Sequence, residues 1–197
     1  MSFVRKKNRL ADKKLYEENN AYFVTICAFE RQYIFGDKNC VLNQYGEIVQ
    51  EVWLDLPILF ENIVLDEFVI MPNHFHGIIT FLDTPISKFT NKKTSLSKIV
   101  KFFKAKVSIE IKQKNASKHD ELKFVATNEN PVVAENLDFP LCNNKIWQKS
   151  FYDHIIRNEQ DMKKIREYIQ NNTQSWSEDI LNKENQDKYD LWIKKNK

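Results

Sequence analysis

Two histidines, His74 and His76, are the residues whose type and spacing most clearly suggest chemistry. They lie between two apolar runs, at positions 68–71 and 77–81. In an extended strand alternate side chains point to the same face, and their Cα atoms are about 6.6 Å apart. Two imidazoles at this spacing can share one metal ion at about 2 Å each. The alternative is that one histidine is buried or hydrogen-bonded and the other is incidental.

A second pair of residues lies far downstream, in a predicted helix. Tyr168 and Asn172 are four residues apart, so they share a face of the helix about one turn from each other. Taken alone, this pair is more consistent with a tyrosine packed in the core and an asparagine that ends the helix. If the helix lies over the histidine face of a sheet, however, Asn172 can supply an oxygen to a metal ion, and the Tyr168 hydroxyl falls nearby. Three protein ligands leave coordination positions open, which is typical of a catalytic metal site.

The chemistry available to such a site is phosphoryl transfer. A bound divalent ion would polarise a phosphoryl oxygen and orient the phosphate for in-line attack. A tyrosine hydroxyl is a poor nucleophile at its ordinary pKa of about 10, so the site must favour the phenolate during the attack. The product would be a covalent phosphotyrosine and a released hydroxyl. Because this intermediate conserves the energy of the phosphodiester, a second DNA end could reverse the reaction without ATP.

The elements that would position these residues follow from the hydrophobic pattern. It predicts strands at 21–30, 63–70, 74–81 and 151–157, and helices at 48–56, 95–114 and 159–172. The order β-α-β-β-α-β followed by a helix matches the ferredoxin-like split βαβ arrangement, an α+β fold whose antiparallel sheet carries two helices on one face. In this fold the histidine strand is central, and the last helix can lie over the other face.

The length of 197 residues predicts one domain with a substantial core. We expect a basic N-terminal arm (1–20), a folded domain (21–172) with a long insert at 115–146, and a polar tail (173–197). The insert has no clear period, which predicts a functional loop or a disordered segment. The tail has Trp176 and Trp192 as its only large anchors, and its pattern leaves open whether it docks on the domain.

Composition excludes several classes of protein. The hydrophobic fraction of 42% excludes wholesale disorder, and no apolar stretch approaches the ~20 residues that span a bilayer. The N-terminus lacks the apolar region of a secretory signal. Three widely spaced cysteines without a CxxC pair argue against a disulfide framework and a structural zinc site. We therefore expect a soluble, reduced, cytoplasmic protein, with no membrane and no protein partner implied.

Positive charge is concentrated in two segments. Between Lys88 and Lys118 there are ten lysines and one acid, although the whole chain has a net charge of only +3. A second basic cluster opens the chain. This imbalance favours binding of nucleic acid over the alternative of a solvated helix face. The predicted DNA-binding residues are Lys98, Lys101 and Lys104 on the second long helix and Arg5, Lys6 and Lys7 in the arm.

The segment Val-Ile-Met-Pro-Asn-His-Phe-His-Gly-Ile-Ile, at 69–79, resembles the HUH motif (histidine, bulky hydrophobic residue, histidine) of single-tyrosine transposases of bacterial insertion sequences. It is similar above all to REP-associated tyrosine transposases. Four further blocks share this similarity: Ala-Tyr-Phe-Val-Thr-Ile-Cys at 21–27, Val-Leu-Asn-Gln-Tyr-Gly-Glu-Ile-Val at 41–49, Trp-Gln-Lys-Ser-Phe-Tyr-Asp-His-Ile-Ile-Arg-Asn-Glu at 147–159 and Arg-Glu-Tyr-Ile-Gln-Asn-Asn at 166–172. The resemblance covers about residues 20 to 176.

The resemblance implies that the Tyr168 hydroxyl attacks a DNA phosphate, becomes joined to its 5′ side and frees a 3′-hydroxyl. It also implies that His74, His76 and Asn172 are ligands of Mg²⁺ or Mn²⁺. The implied substrate is single-stranded DNA that carries a hairpin beside the cleavage site, and the implied processes are DNA transposition and recombination. Some relatives are homodimers that exchange the tyrosine helix and others are monomers, so the resemblance leaves the oligomeric state open.

Other interpretations remain open at this stage. Tyr152 is a competing nucleophile, ranked below Tyr168, and His154 is either a supporting partner or a packing residue. His119 lies in the insert and is assigned no role. A binding module of the same fold could hold hairpins without cutting them, although binding alone requires neither the histidines nor the tyrosine. A histidine-triad hydrolase would need a further alternating histidine, where the chain has Ile78.

Overall fold

The structure, a computed structural model, describes residues 21–82, 94–126 and 145–185, together with Lys188, Asp190, Leu191 and Lys194. For residues 117–126 the description covers the helix but not the side chains. The predicted basic arm, with Arg5, Lys6 and Lys7, lies outside the described residues. So does most of the predicted insert, from 127 to 144.

The described residues form four strands and four α-helices. The strands are β1 (Ala21–Cys27), β2 (Ile63–Met71), β3 (His74–Phe81) and β4 (Tyr152–Ile156). The helices are α1 (Gln44–Leu54), α2 (Leu56–Leu59), α3 (Leu96–Ala126) and α4 (Glu159–Gln170). Short 3₁₀ turns occur at Phe29–Arg31, Trp176–Glu178 and Lys183–Asn185.

The four strands form one antiparallel sheet in the order β2-β3-β1-β4. With α1 and α3 in the connections between strands, this is the ferredoxin-like α+β arrangement, and the sequence-based prediction of the fold is confirmed. The histidine strand β3 lies between β2 and β1, so its backbone is hydrogen-bonded on both sides. A central strand of this kind holds its side chains in fixed positions.

The two faces of the sheet carry separate hydrophobic clusters. On one face, the rings of Trp53 in α1, Phe75 in β3 and Phe103 in α3 pack with centroids 4.5 to 5.4 Å apart. A Cβ atom at Gly77 would lie 2.6 Å from the Trp53 ring, so only glycine fits there. On the other face, Ile78 of β3 packs with the buried isoleucines of α4. Strand alternation therefore places α4 on the same face as His74 and His76.

Several boundaries differ from those predicted. Helix α1 starts at Gln44, four residues before the predicted start at 48, because the side chain of Asn43 accepts hydrogen bonds from the amides of the first turn. Pro57 lies in the first turn of α2, where its missing amide hydrogen has no cost. Helix α3 continues to Ala126, twelve residues beyond the predicted end at Lys114, so the first part of the predicted insert is helical. Among the described residues, no helix is long and apolar enough to cross a membrane.

Candidate active site

The two histidines meet over the face of the sheet that α4 covers. They are two positions apart in β3, and neither residue is accessible to solvent. Their Nε2 atoms lie 3.0 Å apart, and the two rings are close to perpendicular. The alternating pair predicted from the sequence is therefore brought together with both Nε2 atoms directed at one point.

Asn73, in the turn between β2 and β3, determines the tautomer of His74. Its Nδ2 donates to two backbone carbonyls, those of Arg31 (3.1 Å) and Leu181 (2.8 Å). Carbonyls only accept, so the Oδ1 of Asn73 is the atom that faces His74 Nδ1, at 2.8 Å. His74 must therefore carry a hydrogen on Nδ1. In the neutral imidazole this leaves the lone pair of Nε2 available to a metal ion.

His76 is held by two residues of β1. Thr25 is its register partner, and the Thr25 hydroxyl lies 2.8 Å from His76 Nδ1. Phe23 stacks on the imidazole ring with a centroid distance of 5.2 Å. When the hydroxyl accepts a hydrogen from Nδ1, the neutral ring of His76 carries its lone pair on Nε2, the nitrogen that can bind a cation.

Tyr168 lies on α4, directly over His76. Its hydroxyl is 3.4 Å from His76 Nε2, and the two rings are 5.4 Å apart. The edge of Phe23 packs against the same tyrosine ring at 5.9 Å. The buried side chains of Ile165 and Ile169 fix the helix on the sheet, and the Asn158 side chain caps its first turn. The predicted nucleophile is thus next to the predicted metal ligands within one chain.

Polar contacts at the edge strand also fix α4. Strand β2 has one extra residue between Leu65 and Phe68, a β-bulge that includes Asp66 and Glu67. Arg166 binds Asp66 through Nε (2.8 Å) and Nη2, and Gln170 Nε2 donates to Glu67 at 3.0 Å. The Arg166 guanidinium holds the pKa of the Asp66 carboxyl below its usual value. These contacts are made two residues on either side of Tyr168.

Asn172 is buried, with 3% of its surface exposed, and follows the last turn of α4. Its Oδ1 has no hydrogen-bond partner among the described residues. A buried amide oxygen without a donor is costly, and a cation is one partner that removes this cost. Asn172 lies in the turn that follows α4, four residues after Tyr168, and its amide donates to the Ile169 carbonyl. These features fit the ligand role expected from the sequence.

Asp179 was not among the residues selected from the sequence. Its Oδ2 lies 3.7 Å from His74 Nε2, and its side chain is only 6% exposed. His74, His76 and Asp179 form a group whose ligand atoms all lie within 4.8 Å of one another. The chain reaches this position because the segment after α4 docks on the domain through Trp176 and Leu181, which are buried. Trp176 is one of the two large anchors noted in the tail sequence, and nothing in the local pattern pointed to Asp179.

The donor set fits a divalent ion. Two ligand atoms that each lie about 2.1 Å from one ion are at most about 4.2 Å apart. The separations of 3.0 Å between the two histidines and 3.7 Å between His74 and Asp179 satisfy this limit. Two imidazoles with carboxylate and amide oxygens suit a borderline to hard divalent cation.

Two alternatives considered from the sequence occupy other positions. The register places Tyr152 beside Thr25, hence on the histidine face, but in β4, two strands from His76. Strands are about 4.8 Å apart, so Tyr152 starts much farther from His76 than Tyr168 does. His154 bonds Asp161 of α4 at 2.9 Å and lies outside the histidine cluster. His119 belongs to the part of α3 whose side chains are not described.

The predicted DNA-binding lysines of α3 are not part of this cluster. Helix α3 packs on the opposite face of the sheet, through Phe103 against Phe75. Lys98 and Lys101 are exposed there. Lys104 instead donates to the backbone carbonyls of Gln148, Lys149 and Ser150, the residues that lead into β4. Its ammonium group therefore holds a loop in place.

Comparison with known proteins adds one relationship. No family model matches the chain. An uncharacterized protein of Haemophilus influenzae (strain Rd) is 32% identical over 182 residues, which cover 84% of this chain and 87% of the other. The chain belongs to the same family as this Haemophilus protein. Membership of this family assigns no activity, because the relative itself has none assigned.

Two solved structures share a distant likeness in fold. One is the REP-associated tyrosine transposase bound to a REP hairpin, with 17% identity, a TM-score of 0.49 and coverage of 87% of this chain and 72% of that one. The other is a putative transposase of Deinococcus radiodurans R1, with 16% identity, a TM-score of 0.43 and coverage of 77% and 88%. Likeness at this level does not transfer a function to this chain.

Proposed function

We propose that this protein is a metal-dependent single-stranded DNA endonuclease and strand transferase of the HUH type, with Tyr168 as its nucleophile. The observation that carries the proposal is the position of the Tyr168 hydroxyl, 3.4 Å from Nε2 of His76 in a buried histidine pair. The motif resemblance supports the same assignment. Core packing alone would not require a phenol beside two imidazoles, or a buried amide oxygen without a hydrogen-bond partner among the described residues.

In this mechanism His74, His76 and Asn172 would hold a Mg²⁺ or Mn²⁺ ion, which supplies charge stabilisation and orientation for the scissile phosphate. Tyr168 loses its proton to solvent, and its oxygen forms a bond to phosphorus. The bond from phosphorus to the 3′-oxygen breaks, and that oxygen takes up a proton to become a 3′-hydroxyl. The DNA on the 3′ side of the break keeps the phosphate at its 5′ end, now as a phosphotyrosine ester.

The reverse reaction joins strands. The 3′-hydroxyl of the same or another strand attacks the phosphotyrosine, the bond from phosphorus to Tyr168 breaks, and the phenol regains its proton. No ATP is consumed, because one phosphodiester is exchanged for another. The proposed substrates are hairpin-containing single strands, as the motif resemblance implies.

Formation of a covalent adduct tests this function against the alternative of a hairpin-binding module. The full-length protein is incubated with labelled hairpin-containing single-stranded DNA and Mn²⁺ or Mg²⁺, then denatured and separated by gel electrophoresis. We expect an adduct that resists denaturation, is lost with EDTA and is absent in Tyr168→Phe, while Tyr168→Phe still binds the DNA. Tyr152→Phe is the matched control and should form the adduct. Binding without an adduct in the wild type would support the binding module.

A further inference from the structure

The segment after α4 folds back against the histidine cluster. Trp176 packs its ring 6.0 Å from that of His74, and both Trp176 and Leu181 are buried. The backbone carbonyl of Leu181 accepts a hydrogen bond from Asn73, the residue that also orients His74. One amide side chain thus connects this segment to the imidazole.

Hydrogen bonds within the segment, between residues 176 and 185, also hold it together. Asn182 is 3% exposed, donates to the Trp176 carbonyl (3.0 Å) and accepts a hydrogen bond from the Tyr33 hydroxyl (2.6 Å). Asn185 Nδ2 donates to the carbonyls of Ser177 (2.8 Å) and Asp179 (2.9 Å). Hydrogen bonds on every side of the turn leave it little freedom, so the position of its side chains is determined.

Asp179 lies at the centre of this turn. Its Oδ1 accepts a hydrogen bond from the amide of Leu181 at 2.6 Å, which fixes the orientation of the carboxylate. Its Oδ2 is directed at His74 Nε2, 3.7 Å away, with 6% of the side chain exposed. A buried carboxylate oxygen needs a proton, a cation or several donors close by.

We propose that Asp179 is a ligand of the same divalent ion as His74 and His76, so that the segment after α4 is part of the metal site. The three ligand atoms lie within 4.8 Å of one another, and His74 Nε2 is 3.0 Å from His76 Nε2 and 3.7 Å from Asp179 Oδ2. The carboxylate would contribute a negative charge and a hard oxygen to a pair of neutral imidazoles. That addition favours an ion such as Mn²⁺ or Mg²⁺ more than the imidazoles do alone.

A different explanation is that Asp179 only pairs with a protonated His74. The geometry disfavours this pair, because His74 Nε2 also faces His76 Nε2 at 3.0 Å, and a hydrogen on Nε2 would be directed at the nearer nitrogen. The two explanations differ in their consequence for metal binding, since an ion pair would compete with the metal and a ligand would assist it.

Mn²⁺ affinity measured without DNA tests this proposal. The full-length protein is titrated with Mn²⁺, and free Mn²⁺ is followed by its EPR signal. Asp179→Asn keeps the oxygen that bonds the Leu181 amide and removes the negative charge. We expect its dissociation constant to rise by about ten- to a hundredfold, the range seen when groups that support a metal site are lost. Glu178→Gln, an exposed neighbour with the same loss of charge, should bind as the wild type does.

Thermal unfolding of the two variants in EDTA separates a lost ligand from a damaged fold. A midpoint for Asp179→Asn within the range of Glu178→Gln, together with weak Mn²⁺ binding, supports the proposal. Unchanged or tighter Mn²⁺ binding by Asp179→Asn would overturn it. If Asp179→Asn is destabilised even in EDTA, Mn²⁺ should still raise its midpoint less than it raises that of the wild type; an equal rise also overturns the proposal.

This proposal rests on the metal site of the proposed function but not on its chemistry. If the wild type forms no DNA adduct while Asp179→Asn weakens Mn²⁺ binding, the nuclease assignment fails and the ligand assignment stands. If the adduct forms at Tyr168 and Asp179→Asn binds Mn²⁺ normally, the ligand assignment fails and the nuclease assignment stands.

Discussion

Each imidazole of the site is oriented by a side chain that is not itself a candidate ligand. Asn73 bonds the Nδ1 of His74, and Thr25 lies 2.8 Å from the Nδ1 of His76. Both contacts leave Nε2 as the nitrogen that faces the centre of the cluster. A metal site depends on such supporting groups because they fix the tautomer and the ring orientation before the ion arrives.

Loss of the Thr25 hydroxyl should therefore weaken metal binding without disturbing the fold. Thr25→Val keeps the shape of the side chain in β1 and leaves His76 Nδ1 without its partner. We expect the Mn²⁺ dissociation constant to rise about tenfold or more, measured by the same EPR titration. Thr25→Ser retains the hydroxyl and should bind almost as the wild type does. Equal Mn²⁺ affinities of the Thr25→Val and Thr25→Ser variants would show that the hydroxyl has no role in metal binding.

The site residues that could be found from the sequence are those whose relationship is local. Strand alternation relates His74 to His76, and the helical repeat relates Tyr168 to Asn172. The roles of Thr25 and Asp179 depend on contacts across 51 and 105 positions of the chain, which no short pattern encodes. The role of Asn73 was not predicted, because its three hydrogen bonds join parts of the chain that come together only in the fold.

At the scale of elements, α4 is the part on which the site depends most. Two isoleucines fix its height over the sheet, and the Arg166–Asp66 and Gln170–Glu67 contacts fix its rotation at the β2 bulge. The bulge was not predicted, since an extra residue in a strand leaves only a small change in the alternating pattern. It is nevertheless what brings two acidic residues of β2 under the tyrosine helix.

The Arg166–Asp66 pair should make stability depend on pH in a defined direction. The pKa of Asp66 is lowered in the folded state by its hydrogen bond from Arg166. Its contribution is therefore present above the unfolded pKa of about 3.9 and is lost as the pH falls through the lower, folded pKa. Because the Arg166 side chain is 42% exposed, we expect Asp66→Asn to cost no more than about 1 kcal/mol at neutral pH.

Urea unfolding of wild type and Asp66→Asn between about pH 7 and pH 2 measures this effect. The difference in the free energy of unfolding should shrink toward zero at the acid end. Glu67→Gln, a neighbour that loses the same charge but keeps an acceptor for Gln170, is the matched control. A difference for Asp66→Asn that stays constant down to the lowest pH would show that the charge pair contributes nothing.

The order of strands and helices was predictable because each element has a strong hydrophobic period, from the aromatic run of β1 to the stripe that α3 buries. The end of α3 was not, because residues 115–121 are polar apart from Ala116 and interrupt the apolar period of the helix. The docking of the 173–185 segment was left open for a related reason. A short turn held by side-chain amides has no repeat that a pattern can detect.

In the whole molecule, the histidine cluster and the lysine-rich helix α3 are on opposite sides of the sheet. The histidine cluster and α4 lie on one face of the sheet, and the lysine-rich α3 packs on the other. DNA cleaved at Tyr168 would therefore contact α3 only through nucleotides away from the cleaved junction. On this basis the lysines of α3 should affect how tightly DNA binds more than how fast bound DNA is cut.

Replacement of Lys98 and Lys101 by glutamine tests that expectation. For each phosphate contact removed, the slope of log affinity against log salt should fall by about 0.7 for a single strand, while the rate of adduct formation at saturating DNA stays the same. Lys104→Gln is the matched control. It should leave the slope unchanged and lower the thermal midpoint, because three loop carbonyls lose their donor. An unchanged slope for Lys98 and Lys101 would assign them to an ordinary solvated helix face.

The most direct test of the central claim is to locate the covalent bond to DNA. The protein is reacted with a hairpin-containing single strand and Mn²⁺, digested with protease and nuclease, and analysed by mass spectrometry. We predict a nucleotide adduct on the peptide that contains Tyr168, attached through a 5′-phosphate, and a free 3′-hydroxyl on the released fragment. An adduct on Tyr152 instead, or cleavage that leaves no tyrosine modified, would contradict the account.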